Sequence, residues 1–425
     1  MSNYKSVIAK VERVSPIDGA DKIQIAWVLG ECVIVSKELS VGDVGLLFVS
    51  GTQLSEEYCK QNNLYRDPSM NSNPDKKGFF EKSRKVRAQP FMGIKSSAYF
   101  TDRESLLFTG YDLTKLSVGD EFEELGGVKI CCKYINPNTK TPNQQKKNIK
   151  KMVAPNFLEH TDTAQLVRNL HQLEKGDLIS IQSKKHGTSF RSAYTKVVKP
   201  LGMFKELVNR ILPIFPESTY EYVTGTRRVI LENSDNVGFH GKDDYRFEIT
   251  DKLKPFLTKG MCVYGEIVGY VNGKPIMPDH DVKSLKDKRY TKKYGKSITY
   301  KYNCLPDQYD FHIYRITMSV DGQSVDFTQP QLVNWCVCRG LNHAYDVIEP
   351  FIYNGDEEAL LKLVERLTER PDVLCEDYHD PSQISEGIII RVDNKNLTPL
   401  FLKSKSYAFK AMEGICEALD PEDNA

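Results

Sequence analysis

Residues 178–191 read LISIQSKKHGTSFR. The apolar, β-branched run from Leu178 to Ile181 predicts a buried strand. Just past it stand Lys184 and, three positions on, Gly187, followed by Thr188, Ser189 and Arg191. The glycine permits a tight turn and lets the backbone approach a ligand, and the hydroxyls and guanidinium are donors suited to phosphate oxygens. Alone, the same letters describe a basic surface turn. Outward from this stretch, RRVILE (227–232), MCVYGEIVGYV (261–271), DFHIYRITM (310–318), GIIIRV (387–392) and LFLKS (400–404) read as further strands. Helical periodicity falls at FKELVNRIL (204–212), QPQLVNWCVCRGL (329–341) and DEEALLKLVERLTER (356–370). In the last, Leu360, Leu361, Val364 and Leu367 share one face and Pro371 closes the helix. Residues 156–425 are thus expected to form an α+β domain built on antiparallel sheet.

The first 125 residues read differently. SVIAKVERV alternates apolar and polar positions, while ECVIVS and VGLLFV are short strand-like runs. Turn residues separate them at Pro16–Asp18–Gly19, Gly42–Asp43 and Gly119–Asp120, the spacing of a small β-barrel. The polar stretch 62–82 is expected to be a loop. Between the two units, residues 126–155 carry Lys129, Lys133, Lys140, Lys146, Lys147, Lys150 and Lys151 with no acid and three prolines, and read as a basic linker. A second basic tract, 283–301, interleaves lysines and Arg289 with Tyr290, Tyr294 and Tyr300.

Across 425 residues, 58 Lys plus Arg balance 57 Asp plus Glu, so any polyanion-binding surface is local rather than global. Forty per cent hydrophobic and 27 per cent charged residues exclude a disordered, collagenous or coiled-coil chain. No apolar run approaches a membrane span and the N-terminus lacks an apolar signal core. The ten cysteines follow no CxxC metal or redox spacing. These features lead to the expectation of a soluble protein of the cytoplasm, with the nucleus left open.

Five short motifs occur in one order. They are Lys184-Lys185-His186-Gly187, Tyr264-Gly265-Glu266, Asp310-Phe311-His312-Ile313-Tyr314-Arg315, Glu386-Gly387-Ile388-Ile389-Ile390, and Lys403-Ser404-Lys405. This series resembles the motifs of the covalent nucleotidyltransferases, which comprise ATP-dependent DNA and RNA ligases and mRNA capping enzymes. The arrangement is most similar to the Deinococcus-type RNA ligases, which join an N-terminal OB-like barrel to a C-terminal nucleotidyltransferase domain. Only about 20 residues follow Lys405, too few for the C-terminal barrel of the other branches.

The resemblance implies an ATP-dependent RNA ligase that seals 3′-hydroxyl and 5′-phosphate ends, in RNA repair, with magnesium or manganese. Lys184 would be the nucleophile, carrying AMP as a covalent adduct. A free lysine is only about 1 in 2,500 neutral at pH 7, so neighbouring cations such as Lys403 and Lys405 would favour the reactive form. Those two lysines, alternate on a strand, would neutralise the α-phosphate. Glu266 would bind the ribose hydroxyls, Phe311 would stack on the adenine, and Glu386 would hold the metal. Arg191, Arg227 and Arg228 would contact ATP or RNA phosphates. The family pattern has aspartate where this chain has His186, which keeps its place beside the AMP but puts the role of that position in question.

Each residue also has a plainer reading: an exposed strand face for Lys403 and Lys405, an ion pair for Glu266, core packing for Phe311, and surface positions for the arginines. The expected partners are RNA strand ends, nicked duplex included, contacted by the N-terminal barrel and the tract 283–302. No protein partner and no membrane are expected. The competing functions are a DNA ligase or mRNA guanylyltransferase of the same superfamily, and a non-enzymatic RNA-binding protein.

Overall fold

The structure is a computed structural model. It describes residues 4–91, 94–134, 152–161, 163–198, 218–232, 237–238, 241–242, 244–285, 288–320, 323–370, 372, 374, 382, 384–393 and 398–415. The helix predicted at 204–212, most of the basic linker and the acidic C-terminus lie outside these residues. Among the described residues no helix is long and apolar enough to cross a membrane.

The N-terminal unit is all-β in its main elements. Strands β1 (Ser6–Lys10), β2 (Arg13–Pro16), β3 (Ile23–Val28), β4 (Glu31–Ser36), β5 (Val44–Val49), β6 (Ala98–Asp102) and β7 (Glu121–Phe122) form an antiparallel sheet of order β7-β1-β5-β6 and a meander β2-β3-β4. Both sheets contribute to one core, in which Val7, Ala26, Val33, Leu47 and Phe100 are buried. The unit runs past the boundary predicted at residue 125. Cys131–Lys133 pairs with Thr52–Leu54, and Ile130 and Cys131 are fully buried in a second barrel core. The stretch expected as a plain loop at 62–82 is also packed down. Tyr65 and Phe80 are buried, and Asn71 bonds both the N–H and the carbonyl of Tyr65.

The C-terminal unit is α+β, as expected, and is built around two large sheets. The first contains β8 (Ala164–Gln165), β9 (Leu178–Lys184), β16 (Asp346–Ile352), β17 (Gly387–Val392) and β18 (Leu400–Lys405), in the order β8-β18-β17-β9-β16; only β8 runs parallel to its neighbour. The second is larger: β10 (Thr188–Val198), β11 (Ser218–Gly225), β12 (Ile230–Leu231), β13 (Met261–Val271), β14 (Tyr309–Val320) and β15 (Gln323–Asp326), in the order β12-β11-β10-β13-β14-β15. Helix α1 (Asp244–Leu253) packs on the larger sheet; α2 (Gln329–Val337) starts at a Thr328–Gln331 capping box, and α3 (Glu357–Thr368) is capped by Asp356. Leu360, Val364 and Leu367 of α3 are buried on the predicted face. Helix α4 (Tyr407–Ile415) follows β18 directly.

The basic tract 283–301 departs from expectation. Tyr294 and Tyr300 are 8 % and 3 % exposed and belong to the main hydrophobic core. Their interleaving with lysine is therefore the amphipathic pattern of a packed segment rather than a row of base-stacking rings.

The two units touch through ions. Lys410 of α4 reaches both oxygens of Glu31 in β4 at 2.8 and 3.0 Å, Lys95 pairs with Glu369 at 3.1 Å, and Arg168 pairs with Glu121 at 3.2 Å.

Candidate active site

The two sheets of the C-terminal unit face each other across a cleft, and the turn Lys185–Gly187 joins them at its base by passing the chain from β9 to β10. The turn is held at several points. The His186 N–H donates to the Tyr302 hydroxyl at 2.7 Å, and the Gly187 N–H donates to Glu266 Oε1 at 3.1 Å. A Cβ on Gly187 would stand 2.1 Å from the Ile267 carbonyl oxygen, so glycine is required by close backbone approach. The Ser183 hydroxyl on β9 and the Lys185 ammonium at the start of the turn both bond the carboxylate of Asp372. Lys185 and Asp372 are 3 % and 0 % exposed, and the ammonium also lies 4.9 Å from the centre of the Tyr302 ring.

This anchoring separates two adjacent lysines. Lys185 is sealed into a buried ion pair, whereas Lys184 Nζ lies 2.7 Å from Glu386 Oε2 at the cleft. Around that carboxylate stand Lys405, 3.7 Å from Oε1, and His186 Nδ1, 3.7 Å from Oε2. Burial alone would raise the Glu386 pKa. Lys184, Lys405 and His186 outweigh it and hold the group below the usual carboxylate range. Lys403 and Lys405, two apart on β18, both line the cleft, as alternation requires. The His186 ring is wedged edge-on between Tyr300 and Phe409, each 4.8 Å away.

The opposite wall comes from β13 and β14. Glu266 pairs in register with Ser189 on one side and His312 on the other, so all three face the cleft. Phe311, by contrast, pairs with Ile267. Both sit in the core, with Phe311 edge-on to Phe190 at 5.5 Å and absent from the cleft wall. The expected stacking position therefore does not fall on Phe311; the next residue, His312, occupies the wall.

A register shift between Tyr264 and Gly265 leaves Tyr314 unpaired on β14, and this bulge lets Tyr314 and Arg315 both reach the cleft although they are consecutive. The Tyr314 hydroxyl bonds His160 Nδ1, while Arg315 forks onto Asp326 and donates to Thr161 Oγ1 at 2.6 Å.

Three polar groups in the cleft wall are buried without a hydrogen-bond partner among the described residues: the Gln182 amide nitrogen, His160 Nε2 and both ring nitrogens of His312. Such groups are costly unless something completes them, so they mark where a ligand docks. Burial, reinforced by Lys185, pushes His312 down to about 4. Burial and then Arg191, Arg227 and Arg315 push His160 well below its ordinary value. Both imidazoles are therefore neutral, each able to donate from one nitrogen and accept at the other. None of His160, Gln182, His312 or Asp372 was among the residues expected from the sequence. The alternation of DFHIYR points to either Phe311 or His312, but only the register with Glu266 decides between them.

The arginines separate. Arg227 lines the cleft; Arg228, next to it, is exposed and outside the lining. Arg191 is 1 % exposed and donates to the carbonyls of Phe157, Leu158 and Thr226 at 2.6–3.0 Å. Rather than reaching phosphate, it pins the segment that carries His160 and Thr161 into the cleft.

The divalent metal fits in one form only. Among the described residues no group of three His, Cys, Asp or Glu could cage an ion. Glu386 is a hard oxygen donor on the wall that carries Lys184, which suits magnesium or manganese completed by phosphate oxygens and water.

No protein-family model matches the sequence, and no curated protein matches it. Solved structures do. The Naegleria gruberi RNA ligase with PPi superposes with a TM-score of 0.58 at 16 % identity, over 95 % of this chain and 97 % of that one. A mutant form of the same enzyme with AMP and Mn gives 0.57 at 15 % identity, over 95 % and 97 %. Another, with ATP and Mn, gives 0.56 at 16 % identity, over 96 % and 98 %. At such identity the likeness concerns architecture, and it runs nearly end to end: the chain has the α+β, mostly antiparallel fold of an RNA ligase nucleotidyltransferase, N-terminal β unit included.

Proposed function

We propose that this chain is an ATP-dependent RNA ligase acting through lysyl–AMP at Lys184, organised as in the Deinococcus-type enzymes. The observation that carries the reading is the convergence of Lys184, Glu386, Lys403 and Lys405 on one wall of a cleft whose other wall presents Glu266 and a neutral His312. Relatives of the same fold are described with ATP or AMP and Mn, which supports ATP and a divalent metal here.

In this reading adenosine enters between the walls. His312 and, on the facing sheet, the Gln182 amide supply the hydrogen bonds that their buried atoms lack, and Glu266 accepts from the ribose hydroxyls. The Lys184 amine loses a proton and attacks the α-phosphorus, forming the phosphoramidate and releasing pyrophosphate. Lys403 and Lys405 offset the charge that develops on the α-phosphate oxygens. Glu386 would hold the divalent ion, which would supply charge neutralisation at the phosphates. AMP then passes from lysine to the 5′-phosphate of an RNA strand. The 3′-hydroxyl of the adjoining end attacks that phosphate, sealing the strands and releasing AMP. Nicked duplex is included among the substrates, and the cytoplasm is the proposed compartment.

The test is incubation of purified protein with α-labelled ATP and magnesium or manganese, then a denaturing gel. Acid-labile, alkali-stable label on wild type, absent from Lys184→Ala and not formed from GTP, is the expected outcome. Absence of label with either metal overturns the enzyme reading, and label that persists in Lys184→Ala overturns the choice of lysine.

A further inference from the structure

On the side of the larger sheet away from the cleft, α1 covers only part of the surface. Its Thr250 hydroxyl meets Ser192 of β10 and Thr224 of β11, each at 2.7 Å, which identifies the covered face. One step further along the same face, Tyr194 pairs with Tyr222, and beyond them Lys196 pairs with Tyr220. Tyr220 and Tyr222 are 44 % and 43 % exposed. The rings of Tyr194 and Tyr222 stack at 4.6 Å with planes 24° apart, and Tyr220 lies 5.8 Å from Tyr194. Tyr194 links the three rings into one platform, its plane tilted 57° from that of Tyr220, and Tyr220 and Tyr222 are about 6.8 Å apart along the strand.

Lysines surround it. Lys254 Nζ lies 5.5 Å from the Tyr222 ring centre, Lys259 Nζ lies 5.3 Å from that of Tyr220, and Lys196 is exposed beside them. Asp251 offsets one charge by pairing with Lys254 at 2.6 Å. Among the described residues no carboxylate pairs with Lys196 or Lys259, and strand alternation turns Glu221 to the other face. Single exposed aromatics are unremarkable on a protein surface. Two exposed rings that both contact Tyr194, with lysines beside them, are a different pattern: the core of a protein–protein interface is depleted in lysine. A sheet face that presents aromatic rings among cations suits a flexible polyanion carrying flat bases.

We propose that this platform binds single-stranded RNA, with bases stacked on Tyr220 and Tyr222 and phosphates on Lys196, Lys254 and Lys259. The choice of RNA as the polyanion rests on the ligase reading above; the surface itself lies on the sheet face opposite Ser189 and Glu266. β11 meets β12 only at Thr224 and Gly225, so this end of β11 borders the open edge of the described sheet. A strand rounding that edge reaches exposed Arg228 and then Arg227 in the cleft wall.

The experiment compares the full-length wild type with Tyr220→Ala/Tyr222→Ala and with Lys196→Ala/Lys259→Ala. It measures binding of a labelled, unstructured single-stranded RNA by anisotropy across a salt series, and lysyl–AMP formation without RNA. The expected result is a loss of affinity of about tenfold or more for the tyrosine pair, with the salt slope kept. The lysine pair should lower that slope by roughly 0.7 per phosphate contact removed. Labelling by AMP should be unchanged in both. Wild-type RNA affinity in the tyrosine variant overturns the platform, whether its true partner is a protein or nothing, while intact AMP labelling keeps the ligase reading. Affinity lost only through the lysines overturns the stacking. Because binding is measured directly, an absence of AMP labelling in every protein would overturn the enzyme reading without obscuring the platform's result.

Discussion

The two walls of the cleft recognise by opposite means. On the five-stranded sheet the charges are already engaged with one another: Lys184 and Lys405 both face Glu386, and His186 stands close by. A ligand entering there must exchange partners, with phosphate taking the lysines and a cation taking the carboxylate. On the larger sheet Glu266 is charged and accepts from the Gly187 N–H. Beside it in the strand pairing stands the neutral, buried His312, whose ring nitrogens have no hydrogen-bond partner among the described residues, with Nε2 3.5 Å from Asp310 Oδ2. A ligand that meets His312 there completes hydrogen bonds that no described residue supplies. Charge is thus read by exchange and shape by completion, and the two walls should respond differently to substitution.

Lys184→Ala should give the largest effect, complete loss of AMP labelling on a denaturing gel with the fold retained by circular dichroism. Next comes Glu386→Gln, which removes the exchangeable charge from between Lys184 and Lys405. Adenylylation should fall by about 10²–10³-fold, an electrostatic contribution of ordinary size, and raising the metal concentration should not restore it. On the opposite wall, His312→Phe keeps the ring and removes the hydrogen bonds. The KM for ATP should rise by roughly tenfold or a little less, with a smaller change in the rate at saturation. A fall in rate with unchanged KM would erase the distinction between the walls.

The same pair separates in pH. A histidine held near 4 in the folded chain and at 6.5 in the unfolded one takes up its proton more readily when unfolded. Stability should therefore decline as pH falls from 6.5 towards 4, and His312→Phe should flatten that decline in thermal melts. Glu386, depressed below its ordinary value, contributes stability above the usual carboxylate range, lost only as pH drops through the lowered value. The smallest effect on chemistry belongs to Phe311→Ala. It should cost about 3 kcal/mol of stability as a core deletion while leaving the KM for ATP nearly unchanged.

The strands that carry the lysines and carboxylates were legible because their apolar runs are continuous: GIIIRV forms β17 and MCVYGEIVGYV forms β13 over the predicted residues. Lys184, Glu386, Lys403 and Lys405 could be found because each belongs to a short motif on or immediately before one of these strands, and the ordered series of motifs carried the resemblance. On the opposite wall Glu266 was legible too, but His312 was not. Whether Phe311 or His312 faces the ligand depends on the pairing of β14 with β13, and the bulge beside Gly265 is a property of that pairing rather than of either sequence. Arg191 misled for a related reason. Its partners at Phe157 and Leu158 lie more than thirty residues away, so a buried anchor read as a phosphate contact. Tyr294 and Tyr300 misled in reverse, because lysines flanking buried rings look, in one dimension, like lysines flanking exposed ones.

The ion pairs between the two units bear on how this protein can be dissected. Glu31 is 5 % exposed, and Lys410, its partner, stands five residues after Lys405. The Arg168 side chain, 5 % exposed, depends on Glu121 in the same manner. A fragment beginning after residue 134 would keep the whole cleft yet strand two cations that the intact chain satisfies. Inactivity of such a fragment would speak to those orphaned charges before it spoke to catalysis. Replacing Lys410 and Arg168 by uncharged residues in the same fragment is the control that tells the two apart.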